Sequence, residues 1–357
     1  MTGHTLSEMA EAVEREIFLR RRWARWQFVL ASFLGAAVLS LMLNVSLGSV
    51  HIPFSDLWKI IFGKEARRGI FGAVIWNIRL PRALAASLSG SALAAGGLLL
   101  QNFFRNPIVG PYVLGISSGA TVMVALALLG GYSLGMTSIH PAFLSLAALI
   151  GALGVMMVIL AVAAKVRDIV SLLVIGLMVG YIASAISSFL IAFAEKEEVH
   201  KFVLWTLGSF SGFRWKEVRV LAAAIPLLVF LSFFLSKPLN AFLLGEDYAR
   251  TIGVRVKAFR YLIILITSAL VGLVTAFTGP VAFIGLAVPH MARLSLGTSD
   301  SRVLLPGAAI LGAAVTGLCD LLARTAFSPV EIPVSATTSL FGAPIVIALL
   351  LRRRAAI

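Results

Sequence analysis

Beyond Trp26 the chain is a succession of apolar runs, each near the length that crosses a bilayer, separated by short stretches that carry most of the charge. A helical span needs about 20 mainly apolar residues. Backbone groups in lipid must be satisfied internally, which leaves helices and closed barrels as the only spanning structures. Runs of this length without alternation predict helices. They fall at 27–48, 79–101, 111–134, 141–164, 169–194, 217–236, 260–279, 281–297, 303–323 and 336–351. The fold expected is therefore all-α, a polytopic integral membrane protein of about ten transmembrane helices. With 59% hydrophobic and 13% charged residues, and a mean hydropathy of +0.98, the chain falls outside the soluble globular class. Residues 27–357 read as a single transmembrane domain. Residues 1–26 read as a cytoplasmic segment whose Leu6, Met9, Val13 and Ile17 follow helical spacing, an amphipathic helix lying on the membrane.

The net charge of +14 sits between spans, which points to topology and anionic lipid, with no nucleic-acid partner. The one cysteine, Cys319, rules out an internal disulfide and a thiolate metal cluster. Ten spans put both termini on one side. That side gathers Arg20–Arg22, Lys165 and Arg167, Lys237, the basic stretch 250–260 and Arg352–Arg354. Positive-inside bias makes it cytoplasmic. Arg79, Arg82 and Arg324 then lie at outer span ends, against the bias. Two readings compete there: anchoring in lipid headgroups, or docking of an acidic partner.

The stretch Trp76–Ala120 organises the rest. Arg79 and Arg82 bracket Pro81 and open an uncharged run to Leu100 crowded with Ala, Ser and Gly, residues that let backbones approach closely in lipid. Asn106, Pro107 and Ile108 break the run, and Pro111 and a Gly/Ser-rich helix start follow. Irregular backbone at membrane depth survives only in protein or beside a water-filled cavity, so this is a candidate pathway. GPVAFIGLAVPH, from Gly279, loosely echoes the first interruption, and paired interruptions point to a transport site between repeats. In the fifth span Gly176, Gly180, Ser184, Ser187 and Ser188 form a small, polar-flecked face suited to helix packing or to a pathway.

Between the sixth and seventh spans lies KPLNAFLLGEDYARTIGVRVK. Gly245, Glu246 and Asp247 suit a helix start and Gly253 a helix stop, which predicts a short charged helix on the inner face. No G-x-x-x-x-G-K-[ST] occurs, so any ATPase that energises the chain is another polypeptide. His290 with Arg293 reads as structural. Asp320, four residues before Arg324, reads as its i,i+4 partner. His51, His140 and His200 fall on the outer side without a partnered geometry. No Ser-His, paired-Asp or metal-ligand set shares one depth, against an intramembrane enzyme, and few buried ionisable groups argue against an ion- or proton-coupled carrier.

WNIRLPR, RNPIVGPYVLGISSGA, GPVAFIGLAVPHMAR and DLLAR together resemble the FecCD-type permease family over nearly the whole chain. These are membrane subunits of type II ABC importers for ferric siderophores, haem and cobalamin. The resemblance implies a homodimer with two ATPase subunits inside and one substrate-binding protein outside, in a bacterial or archaeal cytoplasmic (inner) membrane. ATP and Mg would be held by the partner ATPase, with no cofactor and no metal on this chain and no catalytic residue. It assigns binding-protein docking to Arg79, Arg82 and Arg324. It assigns ATPase coupling to Leu243–Val254, chiefly Gly245, Glu246, Asp247, Tyr248, Ala249, Arg250, Ile252 and Gly253. The gate falls to Asn106, Pro107, Ile108 and Ser184. The substrate implied is a metal chelate; an oxyanion importer of the same architecture is the alternative. Ala282 stands where the family commonly has glycine, and Asp300-Ser301-Arg302 replaces its usual acidic-His-Arg triplet.

Overall fold

A computed structural model describes residues 2–48, 52, 60, 63, 69–131, 140–166 and 169–354. His51, Arg167 and the last residues of the third predicted span lie outside them. The described residues are helical and contain no strand. The first helix, α1 (Thr2–Ser46), runs unbroken for 45 residues. The boundary expected at Trp26 is absent, because no proline lies in this stretch and its only glycines are Gly3 and Gly35. At 1.5 Å per residue α1 is about 68 Å long, roughly twice a hydrocarbon core. Its apolar, span-length part is Arg20–Ser46.

The other elements are α2 (Ile70–Phe103), α3 (Ile116–Gly130), α4 (Pro141–Lys165), α5 (Ile169–Ala192), α6 (Lys196–Thr206) and α7 (Trp215–Phe234). Then follow α8 (Ser236–Leu243), α9 (Glu246–Thr251), α10 (Val256–Thr278), α11 (Ile284–Leu296), α12 (Ser301–Thr325) and α13 (Val334–Arg354). All ten predicted spans have a helix. Seven helices among the described residues are long and apolar enough to cross a bilayer: α1, α2, α4, α5, α7, α10 and α12. The remaining three, α3, α11 and α13, are the ones tied to chain breaks or shortened apolar stretches. A 3-10 turn at Pro111–Leu114 and a left-handed Gly115 precede α3. Before α11, Gly279 takes φ +71 and ψ −177, a conformation only glycine adopts readily. The two breaks echoed in sequence meet in space, where the Tyr112 hydroxyl donates to the Val281 carbonyl.

α2 is the centre. It packs against α12, α10, α11, α7, α8 and α1, and 78% of its apolar window is buried, against 22% for α1, α5 and α7. A helix apolar all round belongs inside, and glycine decides how close its neighbours come. A Cβ on Gly90 would lie 2.2 Å from the Gly312 carbonyl oxygen of α12, and one on Gly97 only 1.8 Å from that of Gly285 in α11. Gly97→Ala should therefore push α11 away and destabilise by about 1–3 kcal/mol, the cost of overpacking. Gly35→Ala, with nothing within 4 Å, should not. Thermal unfolding in detergent reads the difference; equal midpoints would mean that α2 and α11 are not in backbone contact.

Candidate functional sites at the two ends of the bundle

One end gathers the C-terminus of α1, the start of α2 and the end of α12. Just before Pro81 the helix widens into a π turn, Ile75–Arg79, where the proline ring disfavours regular α-geometry. From this turn Arg79, almost wholly buried, donates to the Val45 and Ser46 carbonyls at 3.0 and 2.7 Å. Arg324 reaches the same last turn, donating to the Asn44 carbonyl and, at 3.1 Å, to Asn44 Oδ1. The final carbonyls of a helix have no intrahelical partner and carry the negative end of its dipole. Two guanidinium groups satisfy that end of α1. Asn44 is itself tied to the Ser40 and Gly317 carbonyls at 2.9 and 2.8 Å.

Arg82 binds two acids. Its Nε lies 3.1 Å from both Asp320 carboxylate oxygens and its Nη2 2.9 Å from Oδ1. Its Nη1 takes Glu331 at 2.9 and 3.1 Å. Asp320 is wholly buried, whereas the Glu331 side chain is 46% exposed. The expected Asp320–Arg324 pair is therefore not formed. Spacing of four residues applies to an isolated helix; here the guanidinium fork of Arg82 arrives from α2 and Arg324 turns to α1. The structure does bring the three predicted arginines together, but on intramolecular partners. Asn44 had no sequence signal beyond being polar near a span end.

The opposite end gathers the start of α11's neighbour α12, the end of α2 and the predicted coupling segment. Gly245, at φ +126, turns the chain between α8 and α9, and Gly253, at φ +89, ends the segment. Glu246 opens α9 and pairs with Arg250 at 2.6 Å and Arg260 at 3.5 Å. Ala249 is buried and fastens the helix, while Tyr248 and Ile252, four apart, stand exposed at its end, and Leu244, before the Gly245 turn, is exposed as well. Asp247 is exposed beside them.

Next to this segment, Arg105 adopts φ +49 and the Asn106 side chain accepts from the Ile108 amide at 3.0 Å, an Asx turn that Pro107 permits. Ile108 is exposed. Behind it a part-buried polar network that the sequence did not disclose joins four helices. Arg293 donates to Asn102 Oδ1 at 2.9 Å, and Asn102 to Ser301 Oγ at 3.1 Å. Asn240 of α8 donates to Asp300 at 2.6 Å and accepts from the Ser301 amide at 2.8 Å. Its one visible sign was the unusual Asp300-Ser301-Arg302.

Ser184 lies 15 residues along α5 from Ile169, about 22 Å at the helical rise, and is exposed on the single chain. Gly176 and Gly180 meet Gly115 at backbone distance, so that part of the small face is helix packing. Ser187 is buried, Ser188 exposed. His140 caps α4, its Nδ1 accepting from the Ala142 amide at 3.1 Å, and His200 is exposed. No group of three or more His, Cys, Asp or Glu gathers as metal ligands would among the described residues.

The sequence matches the FecCD transport family over residues 36–352. The chain belongs to that family. As a FecCD protein it is a membrane transport component and not an enzyme. Among its relatives is the "Vitamin B12 import system permease protein BtuC" of Salmonella typhi, 36% identical over 333 residues, 93% of this chain and 97% of the relative. The protein of the same name from Klebsiella pneumoniae is 36% identical over 341 residues, 94% of this chain and 96% of the relative. A solved structure described as a metal-chelate type ABC transporter in an inward-facing conformation superposes with a TM-score of 0.79 at 27% identity, covering 91% of this chain and 99% of that one.

The FecCD chain's arginine end makes a direct prediction. Arg82→Ala strands Asp320 as a buried, uncompensated charge and should cost about 3–5 kcal/mol of stability. Replacing both Arg82 and Asp320 by leucine should recover much of that loss, since a buried ion pair is often no more stabilising than apolar packing. Unfolding midpoints of the single and double variants decide it, and an Arg82→Ala protein as stable as wild type would show that the pair is not formed.

Proposed function

We propose that this chain is the permease subunit of an ATP-driven importer that carries a metal chelate across the cytoplasmic membrane, with cobalamin the first substrate to test. The observation that carries the reading is the exposed apolar group Leu244, Tyr248 and Ile252 on and beside the short helix α9, which buried Ala249 and the Glu246 ion pairs fasten to the bundle. An apolar face of this kind, on a chain without a P-loop, fits insertion into a separate ATPase subunit. The basic clusters share this end, and positive-inside bias puts it in the cytoplasm together with both termini. Two copies of the chain would bind two ATPase subunits there, holding ATP and Mg, and one binding protein at the arginine end.

Support for a homodimer comes from α5, whose exposed face carries Met178, Tyr181, Ile182 and Phe189 around Ser184, with Phe193 exposed just past its end. A second copy would cover part of that face and leave the rest along a central pathway. The chain does no covalent chemistry. Alternating access follows from partners that bind the inward- and outward-open states unequally.

Two outcomes test the reading. Tyr248→Ala with Ile252→Ala should leave the protein folded and inserted but abolish ATPase capture and transport. Uptake in proteoliposomes with the cognate ATPase and binding protein measures this, and undiminished cobalamin or siderophore uptake would refute the coupling role. At the other end, docking carboxylates would replace Glu331 on Arg82. Glu331→Gln should therefore tighten binding-protein affinity and Arg324→Glu weaken it, each by about 0.2–1 kcal/mol as for rim charges. Affinities across a salt series that are the same for both variants and wild type would return these arginines to a structural role alone.

A further inference from the structure

Beside the coupling segment lies a cavity of about 690 Å³ whose walls carry five cations and one acid. Lys165 comes from the last turn of α4, Arg250 from α9, and Arg255, Lys257 and Arg260 from the start of α10. The acid, Glu246, is engaged by Arg250 and Arg260, and Arg260 also donates to the Val166 carbonyl at 2.6 Å. Buried Arg260 forms the floor, and Arg250 is exposed at its edge. Lys165, Arg255 and Lys257 form an exposed rim, and none of them is ion-paired among the described residues. Clustered like charges repel unless an anion lies between them.

Two further features face the same space. The N-terminus of α10, a 23-residue helix, opens into it with no side-chain cap and no acid in its first turn. Backbone N–H groups and the positive dipole end there favour an anion. Beside the cations the wall carries Ala163, Ala164, Val256 and Tyr261, and past it Leu262 and Leu265 are exposed further along α10. Tyrosine at the boundary between charged and apolar surface marks the headgroup level of a bilayer. The cavity also has the size of a small-molecule pocket, ample for a headgroup.

We propose that this cavity binds the phosphate headgroup of an anionic phospholipid of the cytoplasmic leaflet, with its acyl chains along the exposed face of α10. The leaflet rests on the orientation proposed above; the site itself does not. Inorganic phosphate shares the headgroup chemistry but lacks the chains. An acidic segment of the ATPase would instead need the rim from below.

The test uses the full chain in nanodiscs of phosphatidylcholine with graded phosphatidylglycerol, counting retained lipid by native mass spectrometry. Saturable retention of phosphatidylglycerol over phosphatidylcholine is expected. Lys165→Ala with Arg255→Ala and Lys257→Ala should weaken it about a hundredfold, taking roughly one unit of surface attraction per cation. The charge-preserving variant, Lys165→Arg with Arg255→Lys and Lys257→Arg, should retain it. So should a control lacking two cations of the same membrane side, Arg21→Ala with Arg302→Ala. Equal retention by the alanine variant and wild type overturns the site. A thermal shift with inorganic phosphate as large as that with phosphatidylglycerol overturns the lipid assignment. Expulsion of the bound lipid when the ATPase subunit is added, with cross-links from Lys165 or Lys257 to it, would assign the rim to that interface instead. Loss of coupling in the Tyr248 and Ile252 variant would leave lipid retention unchanged, so the two readings fail separately.

Discussion

Backbone contact between α2 and α12 at Gly90 and Gly312 sets the register of the whole bundle. In lipid there is no hydrophobic gain from joining two apolar helices, so association depends on close packing and on polar contacts. The helices are antiparallel. Eight residues toward one end, Gly90 leads to Arg82 and Gly312 to Asp320, about 12 Å along each axis, and the two side chains meet at 2.9 Å. In the other direction Asn102 and Ser301 meet at 3.1 Å. One glycine contact thus aligns the ionic cluster at one end and the polar network at the other.

The ionic cluster is a consequence of helix ends as much as of charge. α1 finishes at Ser46 with carbonyls that need donors, and Arg79 and Arg324 supply them from α2 and α12. Arg82 is compensated by two acids, one buried and one at the rim. The rim acid is the replaceable one, because the exposed half of that pair has the smaller desolvation penalty to recover. A buried pair and a solvent-exposed pair therefore share the same guanidinium.

At the opposite end the coupling segment is held from two sides. Glu246 ties α9 to α10 through Arg260, and Asn240 ties α8 to the start of α12. The same α12 start holds Asn102, one turn from the Asn106 break. A run of hydrogen bonds thus joins α8 and the α12 start to the end of α2 beside the irregular loop. Gly245 and Gly253, both at positive φ, are the positions where the segment can turn without a Cβ in the way.

Composition and run length by themselves determined that the chain is an all-helical membrane protein, and its glycines and prolines marked where helices break, because these follow from the local physics of backbone in lipid. The glycine-flanked helix at Glu246–Thr251 was legible for the same reason, as were the crowded small residues of the central helix. Three things were decided only by the tertiary structure. α1 continued through Trp26, since amphipathic spacing cannot distinguish a surface helix from the extension of a span. Asp320 chose Arg82 over its i,i+4 neighbour, since a partner 238 residues away arrives only when two helices pack. Ser184 lay on an outward face well along α5, since the depth of a residue depends on where its helix begins and what covers it. Local sequence sets what each segment can become; which charges meet is set by helix contact, and that is absent from any one stretch.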